Sequence, residues 1–385
     1  MVASVVTTEP AIQIPLLTPQ PPESLPTDVG HYVAVLQTKS GERDALENVS
    51  PATWERLMPL VELVGPKHPE PVLTAAWPRE WSRRLSRCLG RRPFYFDILR
   101  LSASHPVDVK PAREPILPLL YAWARKREME FVPVIHVVGR AAKHVRYVAD
   151  AGLQDARGVA LRYRIRAAVL SAGMRHCDVL GEQLADLGVG VADADLLLDL
   201  GFLDPDDEID AEDIASVIRD VCDVGAWRCL VLLGTSIPKG LGAVKEGTVG
   251  AIPRREWELW SRVRTCELPR IPAFGDYAIQ NPDPPAENIG GNVMRANIRY
   301  TTATETVIAR GRGPVSQEGS EQYHDLCELI VKHPLFEDPA FSWGDAQIAA
   351  CAKGLRDPGP QATWRGAGTS HHLRFVTDQV RVLGP

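Results

Sequence analysis

The seven cysteines of the sequence (Cys88, Cys177, Cys222, Cys229, Cys266, Cys327 and Cys351) contain no C-x-x-C pair. An odd number without paired spacing argues against a disulfide framework and against a cysteine-built zinc site, and reduced thiols in a cytoplasmic protein are expected. No apolar stretch reaches 18 residues, so no transmembrane helix is expected. The N-terminus, MVASVVTTEP, lacks the basic region and apolar run of a signal peptide. There is no surplus of positive charge. Lys and Arg number 43 against 49 Asp and Glu, a net charge of −6, which does not suit a coat for nucleic acid or an anionic membrane. A P-loop, a G-x-S-x-G elbow and an H-E-x-x-H motif are also missing, and with them the usual signatures of phosphate cradles, serine esterases and zinc proteases.

Proline, by contrast, is plentiful: 32 of 385 residues, about 8% against a usual share of about 5%. Six of the 32 fall within residues 1–30, a segment without amphipathic period that reads as an extended or flexible tail. Pro59, Pro93, Pro133 and Pro272 stand where apolar runs begin, a place where a missing N–H is tolerated.

From residue 31 a rhythm starts. Short apolar runs alternate with helical patterns: YVAVLQTK (32–39), LVELV (60–64), FYFDILRL (94–101), VIHVV (134–138), GVALRYRI (158–165), ADLLLDLGF (194–202), CLVLLGTSI (229–237) and PAFGDYAI (272–279). Near-continuous apolar runs suit parallel strands buried on both faces. Eight strand–helix alternations predict an α/β fold, a (β/α)8 TIM-like barrel over residues 31–280. The competing open doubly wound sheet lacks its G-x-G-x-x-G fingerprint here. Residues 281–385 read as an α+β appendage packed on the barrel: a Pro/Asn/Gly-rich linker, a β-hairpin in RANIRYTTATETVIARGRG, then helices.

In such barrels the site lies at the C-terminal strand ends. The polar residues there are Lys39, Glu62, Asp97 with Arg100, His136, Arg162 with Arg164, Asp199, Thr235 or Ser236, and Asp276 with Tyr277. Unpaired charge inside apolar runs is costly, so these groups should face each other or a ligand. Alternation puts Arg162 and Arg164 on one strand face, suited to gripping a phosphate or carboxylate, or to pairing with Asp97 or Asp199. Lys39, Arg100, Tyr277 and Arg365 complete the anion-binding candidates. Glu62, Asp97 and Asp199 are the metal candidates, because hard cations prefer carboxylates. Asp97, His136, Asp199 and Asp276 are the catalytic candidates, His136 as a proton carrier that needs a carboxylate partner. The sequence names no cofactor.

Two further stretches carry weaker signals. Gly366, Gly368 and Thr369 look like a turn before a helix, either an anion-binding turn or an N-cap at Thr369 or Ser370. Adjacent His371 and His372 point in different directions on a helix and make a poor zinc site. Arg79, Arg83, Arg84, Arg87, Arg91 and Arg92 form a local basic face that reads as a solvated helix surface.

The motifs YVAVLQTKSGERDAL, MPLVELV, VALRYRI, LLLDLG, FGDYAI, NIRYT, FSWGDAQI and WRGAGTSHHL, in that order over residues 31–380, resemble the bacteriophage beta-protein family. The matching positions include Lys39, Glu42, Glu62, Arg162, Asp199, Gly275, Asp276, Tyr277, Arg299, Tyr300, Trp343, Gly344, Asp345, Trp364, Arg365, His371 and His372. The resemblance implies a phage or prophage protein. Its name-giving member protects the host from a killing protein encoded beside it. No catalytic residue carries over.

Two readings follow. In one, the barrel is a scaffold that binds a companion protein encoded nearby in a protective or phage-defence role. In the other, it is an enzyme acting on a phosphorylated or nucleotide-like small molecule, with Asp345, Arg365 and His371 of the appendage covering the mouth. No membrane and no nucleic-acid partner is expected.

Overall fold

A computed structural model describes residues 30–65, 76–98, 100–101, 108–109, 114–137, 142–165, 170, 173–283 and 295–383. The expected Pro-rich tail (1–30), apart from Gly30, and most of the linker, from residue 284 on, lie outside the described residues. The eight apolar runs form eight parallel strands: β1 (Tyr32–Gln37), β2 (Leu57–Glu62), β3 (Phe94–Asp97), β4 (Phe131–His136), β5 (Val159–Arg164), β6 (Ala194–Phe202), β7 (Cys229–Thr235) and, after β8 (Val249–Pro253), which leaves the barrel, β9 (Ala273–Asp276). They close in the order β1-β9-β7-β6-β5-β4-β3-β2, so the fold is the expected (β/α)8-type barrel.

Alternation along each strand sorts two cores. On β1, Val33 and Val35 fill the interior with Met58, Leu60, Tyr95, Val134, Leu197 and Leu233. Tyr32, Ala34 and Leu36 face the helices. Those helices are α1 (Ser40–Glu47), α2 (Pro51–Trp54), α3 (Ala76–Leu89), α4 (Ile116–Lys126), α5 (Ala142–Gln154), α6 (His176–Leu187), α7 (Ala211–Cys222) and α8 (Arg255–Val263). Local signals set their starts. Asp210 accepts from the N–H groups of Glu212 and Asp213 at 2.8 and 3.0 Å and, with Asp213, forms a capping box on α7. Ser50 caps α2 with Pro51 at its first position.

Beyond the barrel, β10 (Arg295–Thr301) and β11 (Glu305–Pro314) form the expected antiparallel hairpin. β8, inserted between β7 and α8, pairs with the free edge of β11, giving a three-stranded sheet in the order β8-β11-β10. Four helices follow: α9 (Val315–Glu318), α10 (Gln322–Val331), α11 (Trp343–Ala352) and α12 (Gln361–Leu383). At 23 residues, α12 is about 35 Å long at 1.5 Å per residue. Its first half gives Trp364 and Ala367 to a core shared with Tyr300, Tyr323 and Ile348. Its second half gives Leu373, Val376 and Val380 to the outer core of the barrel.

The expected turn at Gly366–Thr369 does not form. These residues are helix interior, and Thr369 and Ser370 are not N-caps. The glycines serve close packing instead of a bend. A Cβ on Gly366 would lie 2.9 Å from the carbonyl oxygen of Gly41, and one on Gly368 would lie 2.6 Å from that of Arg299. A still closer approach is at Gly344, where a Cβ would stand 1.9 Å from the backbone oxygen of Ala367. Gly344→Ala therefore forces α11 and α12 apart. We expect a loss of about 3 kcal/mol or more, at the upper end of overpacking costs, read as a lower urea midpoint. An unchanged midpoint would mean that the two helices are not held at this distance.

No helix among the described residues is long and apolar enough to cross a membrane.

Candidate functional site

The strand ends converge as the polar pattern anticipates. Register places Glu62 of β2 opposite Asp97 of β3, and His136 of β4 opposite Arg162 of β5. All four side chains, with Asp199 of β6, point into the barrel mouth. Arg162 is the hub. Its Nε donates to Asp199 at 2.9 Å, and Nη1 donates to Glu62 at 2.9 Å and to Asp97 at 2.7 Å. Nη2 donates to the hydroxyl of Tyr277 at 2.7 Å. Tyr277 in turn donates to Asp199 at 2.6 Å. The Arg162 side chain is 2% exposed, and those of Asp97 and Asp199 are 1%.

A guanidinium so deeply buried would ordinarily lose its proton affinity, but Tyr277, Asp199, Glu62 and Asp97 outweigh burial and hold Arg162 well above its usual range. Burial likewise pushes Asp199 upward. Arg162, Arg164 and the Tyr277 hydroxyl, with the Gly201 N–H at 2.9 Å, overcome that push and keep its carboxyl below the ordinary value. Burial pushes the Tyr277 phenol well up, so it remains a donor. Gly201 has φ of 68°, and a Cβ there would strike Arg164 Nη2 at 2.3 Å. The Asp-Leu-Gly end of β6 thus both caps Asp199 and leaves room for Arg164.

A rim surrounds this hub. His136 Nε2 lies 2.7 Å from Asp97, the carboxylate partner it was expected to need. Arg100 pairs with Glu62 and with the carbonyl of Pro282. Arg164 reaches Asp283 at 3.4 Å, which Lys239 also approaches at 3.4 Å.

The metal candidates Glu62, Asp97 and Asp199 therefore do come together, with the Arg162 guanidinium between them. It already supplies the positive charge that a cation would bring, so a metal ion would have to displace it. Elsewhere, Cys177, Asp220 and Asp223 offer ligand atoms within 4.8 Å of one another. There Asp220 already accepts from the N–H groups of His176 and Cys177.

Other candidates are placed apart. Asp276 faces outward, where it accepts from the hydroxyl of Tyr32 at 2.5 Å and from the N–H of Ala278 at 2.8 Å, and its other oxygen lies 2.9 Å from His372 Nε2. Period-two alternation separates it from Tyr277, which enters the barrel. Asp345 and His371 pair at 3.0 Å inside the outer layer, with Tyr300 donating to Asp345 at 2.8 Å, and do not cover the mouth. His371 and His372 point in different directions, one to each layer. Lys39 and Arg365 lie together with Glu42 and Arg299, beside the mouth. Thr235 and Ser236 are buried and bonded to Gln280 and Glu256.

The basic face is largely neutralised. Arg83 and Arg84 pair with Glu80, Arg87 with Glu47, and Arg91 with Glu128 and Glu130. Arg79 and Arg92 lie over Trp123 and Trp54.

Sequence reasoning missed Tyr32, Asp283 and Gln280 as participants. Tyr32 had a usable signal, since it opens β1 on the outward parity shared with Asp276. Asp283 had none, because it lies past the last barrel strand.

A family model described as Beta protein matches residues 32–378. No curated protein matches the chain.

Proposed function

The chain belongs to the Beta protein family, and on that footing we propose that it acts as a protective, phage-defence protein that binds a partner protein encoded nearby. One observation carries this reading: the groups at the centre of the barrel mouth that were expected to meet a small molecule are occupied by each other. Arg162 spends its donors on Asp199, Glu62, Asp97 and Tyr277. A guanidinium held by three carboxylates is a stable brace for the strand ends rather than an open anion grip. The barrel then serves as a scaffold, and recognition falls to its outer surfaces. An enzyme holding a phosphorylated molecule on Arg162 and Arg164 fits less well, because Arg162 would have to abandon buried partners to bind it.

Co-expression of the tagged chain with the products of its flanking genes tests the proposal. The expected result is a stable complex of fixed stoichiometry with one of them, by light scattering, together with rescue of cells from that product's toxicity. Recovery of the chain alone in every pairing, with no rescue, would sink the idea.

A further inference from the structure

Three cations from three distant parts of the chain meet at the seam between barrel and outer layer. Lys39 is the N-cap residue of α1, Arg299 lies on β10, and Arg365 is in the first turns of α12. All are partly buried. Among the described residues none of the three has a carboxylate within ion-pair distance. Arg299 donates instead to neutral acceptors, the Asn297 side chain and the carbonyl of Ile279.

Their nearness is enforced by backbone contact. A Cβ on Gly41 would lie 2.5 Å from the carbonyl oxygen of Ala362, and the Gly366 and Gly368 contacts described above bring α12 as close to α1 and β10. Electrostatics reports the same crowding. Burial, then Arg365 and Arg100, push Lys39 down to about 8 against the pull of Glu42 and Glu62. Burial and Arg365 push Arg299 down to about 10.

Glu42 does not neutralise the group. It is fully buried, and Gln280 donates to its Oε1 while Oε2 has no hydrogen-bond partner. Burial raises its proton affinity although Arg365 and Lys39 oppose this. Even ionised, it supplies one charge against three. The N-terminus of α1 beside it carries no side-chain cap, so its N–H groups add to the positive field. Holding like charges together costs stability, and an anion bound among them would offset that cost.

We propose that Lys39, Arg299 and Arg365, with the uncapped N-terminus of α1 and Glu42 behind them, form a binding site for the phosphate group of a small molecule. Two guanidinium forks and an ammonium match the oxygens and charge of a phosphate dianion. The site needs no partner protein, so its failure and that of the scaffold reading are separately visible.

The test is thermal shift and calorimetry on the full chain at constant ionic strength. Inorganic phosphate and a nucleoside monophosphate are compared with chloride. The expected result is a melting temperature several degrees higher in phosphate than in chloride. The nucleotide arm shows whether the phosphate is taken free or on a nucleoside. Lys39→Met and Arg365→Gln should each weaken binding tenfold or more. In phosphate-free buffer both should melt at or above the wild-type temperature, because repulsion is relieved. If one variant does not fold, the other reads the same loss. No response of the wild type beyond chloride, or an equal response in a folded variant, overturns the site.

Discussion

Replacing Arg162 by methionine should lower the unfolding free energy by about 3–5 kcal/mol, the usual cost of removing one member of a buried ion network. The melting temperature should fall by roughly 5 °C, since the shift per kcal/mol shrinks as the chain grows. Methionine preserves much of the volume, so the loss reports charge rather than a cavity. What remains is three carboxylates, Glu62, Asp97 and Asp199, buried within reach of one another and deprived of the hub that holds them.

The pH dependence gives this prediction its sign. In the wild type the folded Asp199 carboxyl titrates below its ordinary value. Its contribution to stability is therefore complete above about pH 4, the unfolded value, and is lost as pH falls through the folded one. Without Arg162, burial dominates and the Asp199 carboxyl titrates above its ordinary value. Its contribution is then present below about pH 4 and is lost as pH rises through the shifted value. The variant should thus lie closest to the wild type in mild acid and fall furthest below it at neutral pH. Adding Glu62→Gln, Asp97→Asn and Asp199→Asn to the variant should restore much of the neutral-pH loss. Parallel denaturation curves at every pH would show that Arg162 is not the counter-charge.

Asp276→Ala should be nearly as damaging, although Asp276 stands outside the mouth. Its two oxygens serve three partners: Tyr32, the N–H of Ala278 and His372. Each buried donor left without an acceptor costs about 1–3 kcal/mol, and these share one network, so the total should be about 3–5 kcal/mol rather than their sum. Two consequences are specific. Ala278 has φ of 50°, a left-handed conformation held by its bond to Asp276. That turn directs Tyr277 into the barrel, so its loss should also loosen the Arg162 network. His372 ties α12 to the barrel, so limited proteolysis should first release the C-terminal helix. Asp276→Asn keeps an acceptor and the shape, and should fall between Ala and the wild type. Guanidinium midpoints rank the three proteins. Equal midpoints, with no early cleavage in α12, would remove Asp276 from both roles.

Much of this architecture was legible in the residues. Runs such as ADLLLDLGF are apolar on both parities, which only a strand covered on both faces requires, and that strand is seen over the same residues, Ala194–Phe202. Charged groups at the ends of those runs located the Arg162 hub, and alternation correctly placed Arg162 and Arg164 together. The same rule would have parted Asp276 from Tyr277, since Phe274 already marks the outward face. Less was legible in the outer layer. TVGAIP does not announce that it will join a sheet with a hairpin some fifty residues later, because the edge it pairs with is made by β11. WRGAGTSHH carries the glycines of a turn and is nevertheless helix. The free energy that settles it comes from Trp364, Ala367 and Leu373 buried on two layers at once.

The sequence by itself determined the barrel, the side each strand residue faces and the divergence of His371 and His372. Each of these follows from a local period, two residues in a strand and 3.6 in a helix. Tertiary structure alone decided that Arg162 is held by its own carboxylates, that Asp276 binds α12, and that Lys39, Arg299 and Arg365 share a site. Those outcomes depend on distances between elements up to several hundred residues apart, set by strand register within the barrel and, at the seam with the outer layer, by how closely glycine lets backbones approach.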